Sequence, residues 1–140
     1  MSIEFREMAS SDYDAVLNLW RTIPGFTPRP VADSRDGIAR LLERNPGLSV
    51  VAVDEGRIAG CALATHDGRR GYLQHVVVAE TLRGQGVAAA MVDICLRRLR
   101  ALHLDWVHLD VTNGNDAAMA FWQRAGWNRR AELTRLSRPL

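Results

Sequence analysis

Two glycines spaced two apart, Gly84 and Gly86, follow an arginine, Arg83, and stand directly ahead of the apolar run Val87-Ala88-Ala89-Ala90-Met91-Val92. Glycine lets successive main-chain N–H groups converge without interference from a Cβ, and a helix starting at Val87 brings the positive end of its dipole to the same place. The segment Arg83-Gly84-Gln85-Gly86-Val87-Ala88 therefore has the chemistry of an anion cradle, with a guanidinium to add a full charge. A phosphate is the anion such a loop suits, and a glycine turn without a ligand is the plain alternative.

Gly84-x-Gly86-x-x-Ala89 also satisfies the dinucleotide pattern GxGxxA, with Asp105 at about the right distance downstream. Spacing argues against that reading. Ala79 to Arg83 separate the valine run Val76-Val77-Val78 from Gly84, whereas the dinucleotide loop follows its strand almost directly, and Asp105 precedes its strand rather than ending it.

Other reactive residues are few. All 18 basic residues are arginine, which excludes a Schiff-base lysine, a Walker A lysine and pyridoxal phosphate chemistry. Cys61 and Cys95 lie in apolar contexts with no CxxC or Cys/His ligand spacing, so both read as core thiols and no metal site is expected. His75 is the plainest general base, since an imidazole near pKa 6.5 suits neutral-pH work.

The elements that must position these residues follow from periodicity. Ile3 and Phe5 make a short strand. Ser10 or Ser11 caps a helix carrying Tyr13, Val16, Leu17 and Trp20, and Asp33 or Ser34 caps a second with Ile38, Leu41 and Leu42, ending at Asn45-Pro46-Gly47. Leu48 to Val53 and Arg57 to Thr65 form a hairpin around Asp54-Glu55-Gly56. Tyr72 to Val78 is the next strand, expected to be central, with Val76-Val77-Val78 buried on both faces. A helix from Val87 to about Leu102, a strand Trp106 to Val111, a helix Asn115 to Ala125 stopped by Gly126, and short terminal strands complete the pattern.

The chain has 140 residues, 47% hydrophobic and 24% charged, which suits one core and one domain spanning residues 1–140. Apolar stretches fall short of the ~20 residues of a membrane span, and Met1 to Arg6 lack a basic then apolar leader, so a cytoplasmic protein is expected. A net charge of +2 with scattered arginines gives no contiguous basic face, and Arg97-Arg98-Leu99-Arg100 reads as the solvated end of a helix. Nucleic acid is not an expected partner.

Read as Arg83-x-x-Gly86-x-Ala88, with Glu80 in the preceding bend, the glycine loop resembles the pyrophosphate loop of the GNAT acyl-CoA N-acyltransferases. A second segment, Asn115-Asp116-Ala117-Ala118-Met119-Ala120-Phe121-Trp122-Gln123-Arg124-Ala125-Gly126-Trp127, resembles that family's closing motif. The resemblance covers about Ile3 to Ser137, and His66 to Gly71 is similar to loops in small bacterial YpeA-like members.

The resemblance implies a mixed, mostly antiparallel α/β sheet of six to seven strands with about four helices, in the order β-α-α-β-β-β-α-β-α-β. It implies that the strands carrying Val78 and Val111 splay and admit acetyl-CoA. The main chain of Val76, Val77 and Val78 would hold the pantetheine, the loop Arg83 to Ala88 the pyrophosphate, and Asn115 and Trp122 would complete the cofactor site. Acetyl transfer to a primary amine by direct attack follows, with the acceptor a small molecule or peptide.

That amine must lose a proton. His75 is one base. Asp110, by alignment with a catalytic glutamate of some members, is the other. If Val76 and Val78 face the cofactor, Tyr72 and Gln74 share their face and His75 points away, unless a bulge shifts the register. Trp122 stands where the family often has a tyrosine that protonates the leaving thiolate. Indole N–H donates a hydrogen bond but transfers no proton at neutral pH, so acid catalysis from that position is excluded.

Trp20, Tyr72, Gln74 and Arg70 are the acceptor-side candidates, with Ile23 to Pro30, Arg35 and Arg69 beside them. Trp20, Trp106 and Trp127 serve either the core or the surface of a homodimer. Two rivals stand beside the transferase: a non-catalytic acyl-CoA binder that lost its acid at Trp122, and a nicotinamide enzyme, for whose substrate half the chain leaves little room.

Overall fold

The computed structural model describes residues 2–140 and divides into two compact units, Met1–Leu109 and Asp110–Leu140, each described by itself. In the first, β1 (Ile3–Glu7) leads through a 3₁₀ turn into α1 (Tyr13–Arg21) and α2 (Arg35–Arg44). There follow β2 (Val50–Asp54), β3 (Arg57–His66), β4 (Gly71–Val78), a 3₁₀ turn at Glu80–Leu82, α3 (Val87–Ala101) and β5 (Val107–His108). The sheet runs β1-β2-β3-β4-β5, antiparallel through β4 and parallel between β4 and β5.

One face of the sheet carries α1 and α2. Tyr13, Val16, Leu19 and Trp20 of α1 and Ile38 of α2 are buried with Val51, Cys61 and Leu63 of the sheet. Burying such side chains contributes about 1.5–3 kcal/mol each. Leu17 is only half-buried, and Leu19 takes the place expected for it in the stripe. The other face carries α3 through Val87, Met91, Val92, Cys95 and Leu99. Gly60 admits α3 closely, since a Cβ there would meet Met91 Cε and Ala52 Cβ at 3.1 Å.

The hairpin turn is as its residues require: Glu55 and Gly56 both take positive φ, 50° and 77°, the geometry of a type I′ turn. At the start of α1, the Asp12 carboxylate accepts both Arg6 guanidinium nitrogens at 2.8 Å and the Ala9 N–H at 2.8 Å. The Arg6 hydrogen bonds hold the Asp12 carboxyl below its ordinary range, against the opposing effect of burial.

Several expectations need correction. The middle strand is β3, with β4 fourth of five. Val76, Val77 and Val78 are half-buried rather than buried on both faces, because β5 pairs β4 only at Gly71 and Tyr72 and covers nothing beyond. The strand expected from Trp106 to Val111 shrinks to Val107–His108 for the same reason: residues past His108 find no ladder on β4.

The second unit holds α4 (Asp116–Arg124) and no strand. The expected terminal strands are absent, and Leu133, Leu136 and Leu140 are exposed, so no apolar burial recruits those residues into a ladder. Among the described residues there are thus five strands where six to seven were expected, with the four helices as expected.

Candidate active site

The glycine loop folds as its residues dictate. Gly84 and Gly86 sit at φ 77° and 79°, and a Cβ on either would meet nothing within 4 Å. They are required for backbone conformation, and the side where a Cβ would stand is open. Ala90 is the first residue of α3 whose N–H returns to the loop, reaching Gly86 O at 3.0 Å. The amides of Val87, Ala88 and Ala89 are the free donors of the helix N-terminus. Arg83 and Gln85 are exposed, and Gln85 Nε2 donates to Thr81 O. Free amides, a dipole end and an exposed guanidinium with no partner among the described residues fit a pyrophosphate.

Beside the loop, the outer edge of β4 is open. Ala79 N–H donates to Ala59 O at 2.7 Å, and Val77 pairs with Cys61. Strand alternation then turns the N–H and C=O of Val76 and Val78 away from β3, toward the side that β5 leaves unpaired. These groups are oriented to pair with an amide-bearing chain such as pantetheine.

His75 interrupts this strand. It adopts φ 49°, and the ladder slips there: Cys61 pairs Val77 but Leu63 pairs Gln74, so β4 carries one extra residue. This is a β-bulge, and it re-aims the side chain. Residues paired across a ladder share a face, so Tyr72, Gln74 and Val77 lie with Leu63 and Cys61 on the α1 side, and Val78 lies with Gly60 on the α3 side. The expected sharing of one face by Tyr72, Gln74, Val76 and Val78 is therefore overturned by the bulge.

The His75 ring packs edge-on against Trp20, at 5.0 Å between centroids, and Phe26, at 4.8 Å. Its Nε2 lies 2.8 Å from Asp33 Oδ1. Asp33 is 5% exposed, its Oδ2 accepts from Arg29 N at 2.7 Å, and its carbonyl accepts from Tyr13 Oη at 2.7 Å. Ser34 is the helix cap, its Oγ accepting from Gly37 N at 3.0 Å, so the Asp33 carboxylate is released for His75. Asp33 was missed as a site residue because only the fold brings it to β4, whereas Phe26 belongs to the Ile23 to Pro30 segment expected beside the acceptor.

Among the acceptor-side candidates, Trp20 is fully buried with Nε1 unpartnered, so it supports His75 from behind and lines no mouth. Tyr72 is half-buried, its ring 5.9 Å from that of His108, and Gln74 is exposed. Arg70 and Arg69 sit in an exposed loop whose amides bond Asp67 Oδ1, both at 2.8 Å. That loop precedes Gly71, and seven strand residues, roughly 23 Å, separate Arg70 from the Val78 end. Arg35 pairs with Asp14 and stacks on Tyr13. A cleft of about 410 Å³ runs along α1 past Asn18, Leu19, Thr22, Thr81 and Arg83, and so shares Arg83 with the loop.

In the second unit, Asn115 Oδ1 accepts from Ala118 N at 3.1 Å and caps α4, leaving its amide NH₂ free. Gly126 at φ 95° closes the helix, with Trp127 N–H reaching Trp122 O at 3.0 Å. Trp122 is buried between Phe121 and Trp127, at 5.0 and 5.3 Å. Asp110, expected on a strand, follows the end of β5, is exposed, and bonds Arg135 at 2.6 Å. Among the described residues no group of three His, Cys, Asp or Glu side chains is arranged to hold a metal ion.

Comparison with known proteins adds to this geometry. A family model described as the acetyltransferase (GNAT) family matches residues 13–127. An acetyltransferase of Pectobacterium atrosepticum is 31% identical over 122 residues, 87% of this chain and 85% of that protein. An acetyltransferase of Sodalis glossinidius is 27% identical over 138 residues, 99% of this chain and 96% of its own. Among solved structures, the PaiA N-acetyltransferase of Thermoplasma acidophilum in complex with coenzyme A superposes with a TM-score of 0.80 at 14% identity. The match covers 91% of each chain and speaks for the fold.

Proposed function

The chain belongs to the GNAT acetyltransferase family, and on that premise we propose that it is a single-domain enzyme moving acetyl from acetyl-CoA to a primary amine of a small molecule or peptide. The observation that carries this reading is the open edge at Val76 and Val78 running into the amides and arginine of the Arg83–Ala88 loop. Acetyl-CoA supplies the activated acetyl group when bound.

Each residue has a role in this reading. Arg83, Gly84, Gln85, Gly86, Val87 and Ala88 bind the pyrophosphate. The main chain of Val76, Val77 and Val78 orients the pantetheine, with an amide of that edge polarising the thioester carbonyl. Asn115 and Trp122 are the second unit's own candidates for cofactor binding. His75 takes the proton of the acceptor ammonium, and the amine nitrogen bonds the acetyl carbon. The carbon–sulfur bond breaks with its electron pair on sulfur, and the surplus amide proton reaches the thiolate through water.

His75 is preferred over Asp110 as base because it directly precedes Val76 at the open edge, whereas Asp110 is engaged with Arg135. Phe26, Tyr72 and Gln74 are assigned to the acceptor side. The reading takes the enzyme to be cytoplasmic, where free thiols such as Cys61 and Cys95 are the ordinary state. A homodimer is part of it, with Trp106, 55% exposed, as its aromatic contact. No helix among the described residues is long and apolar enough to cross a membrane.

Thermal unfolding with acetyl-CoA, CoA and NADH in parallel tests the assignment. Ligand at 100 times its Kd adds about 2.7 kcal/mol of stability, so both CoA species are expected to raise Tm. Turnover is then followed by thiol release across peptides, polyamines and amino acid amides. Tight binding without turnover on any amine identifies a binder and overturns the enzymatic reading.

A further inference from the structure

The His75 side chain is held by more than a core histidine requires. Its backbone occupies the left-handed region at φ 49°, a conformation that is strained for a non-glycine residue and persists only where its surroundings impose it. The surroundings do so from three directions. Trp20 and Phe26 contact the ring edge-on, and Asp33 binds Nε2. Asp33 is itself immobilised by the Arg29 amide on its other oxygen and by Tyr13 Oη on its carbonyl. Trp20 and Phe26 carry no charge, so among the described residues Asp33 is the one ionisable partner bonded to the ring.

An ionised carboxylate only accepts hydrogen bonds, so the nitrogen facing Asp33 Oδ1 carries the proton. His75 is thereby the Nε2–H tautomer, with the Nδ1 lone pair free. Among the described residues Nδ1 has no hydrogen-bond partner, and it is not among the buried unpartnered atoms, so it meets solvent. The next residue, Val76, begins the open edge of β4.

We propose that Asp33 is a positioning residue for acetyl transfer, fixing the tautomer and ring orientation of His75 so that Nδ1 takes the proton of the acceptor ammonium. The inference rests on the reading of His75 as base and adds the residue that makes it one. When Nδ1 accepts the proton, the Asp33 carboxylate faces the imidazolium through Nε2–H and stabilises it, and Nδ1 then releases that proton to solvent. Asp33 acts through His75 and touches no reacting atom.

Two measurements test this. Long-range ¹H–¹⁵N correlation of the His75 ring in the wild-type protein needs no acceptor, and is expected to show a protonated Nε2 and a bare Nδ1 when the ring is neutral. A dominant Nδ1–H tautomer overturns the proposal. Kinetics with acetyl-CoA and whichever amine of the panel turns over is the second. Asp33→Asn is expected to lower kcat about 10²-fold, the scale of a positioned general base. KM for acetyl-CoA should stay within about twofold, the acidic limb of the pH–rate profile should move to lower pH, and Asp33→Glu should restore part of kcat. Should Asp33→Asn fail to fold, Asp33→Glu and the tautomer carry the test. His75→Ala separates the two claims: if it abolishes kcat and Asp33→Asn does not, His75 remains the base and Asp33 is merely structural. If His75→Ala leaves kcat intact, the base assignment itself falls.

Discussion

His75 Nε2 and Asp33 Oδ1 lie 2.8 Å apart although 42 residues separate them in the chain. The bulge at φ 49° turns the imidazole toward α1, and the cap at Ser34 frees the carboxylate that receives it. Trp20 and Phe26 close the remaining sides. The site is thus assembled by one irregularity in a strand and one in a helix start.

Gly37 is the hinge of that assembly. A Cβ on it would collide with the backbone oxygens of Val31 and Ala32, which leave no room for one. Gly37→Ala is expected to push the Val31–Asp33 turn outward, at a cost of about 1–3 kcal/mol, and to break the His75–Asp33 bond. Chemical denaturation and the His75 ring resonances report the two effects together.

The loop separates conformation from charge. Gly86→Ala places a side chain at φ 79° without a clash, so strain alone costs about 1–2 kcal/mol of stability and the displaced amides weaken CoA binding. Arg83→Gln leaves Tm of the free protein unchanged because Arg83 is exposed, yet raises the Kd for CoA about tenfold or more. Calorimetric titration at two salt concentrations checks both, the arginine variant losing part of the salt dependence.

Asp12 gives a pH dependence with a definite sign. Its folded carboxyl titrates below the ordinary value near 3.8 because Arg6 binds it, so its stabilisation is complete above that value and is lost as pH falls through the depressed one. Tm is expected to fall below about pH 4, and Asp12→Asn should flatten that fall. At pH 7 the variant should lose about 1–2 kcal/mol, modest because Arg6 is half exposed.

Both thiols should resist labelling in the folded state. Burial pushes the Cys61 thiol far up and that of Cys95 up to about 11, so little thiolate forms at pH 8. A disulfide-exchange reagent is expected to titrate two thiols only after unfolding.

Local order was legible in the sequence because local chemistry produces it. The hairpin at Asp54-Glu55-Gly56, the α1 stripe of Tyr13, Val16 and Trp20, and the caps at Ser34, Asn115 and Gly126 each depend on residues within a turn of one another. The glycine loop belongs with them, since Gly84 and Gly86 need only their own positive φ and the helix they start. That local grammar also carried the family resemblance.

What the tertiary structure decided is pairing and aim. Strand Trp106 to Val111 had the right residues and lost most of its length, because a strand exists only where a neighbour supplies its ladder, and β4 offers one at Gly71 and Tyr72 alone. Parity counted along β4 put Tyr72 and Gln74 with Val76 and opposite His75; the bulge moves Tyr72 and Gln74 to the His75 side and leaves His75 opposite Val78, because a bulge depends on how β3 is engaged and leaves no mark in the alternation. Of the two uses open to Trp20, packing chose the α1 stripe over the acceptor's mouth, and Asp33, one of two candidate caps, became the partner of His75. Glycines, caps and periodic faces are properties of a few consecutive residues, and they can be read from the chain before it folds. Which carboxylate meets which imidazole is a property of packing, and only the folded chain contains it.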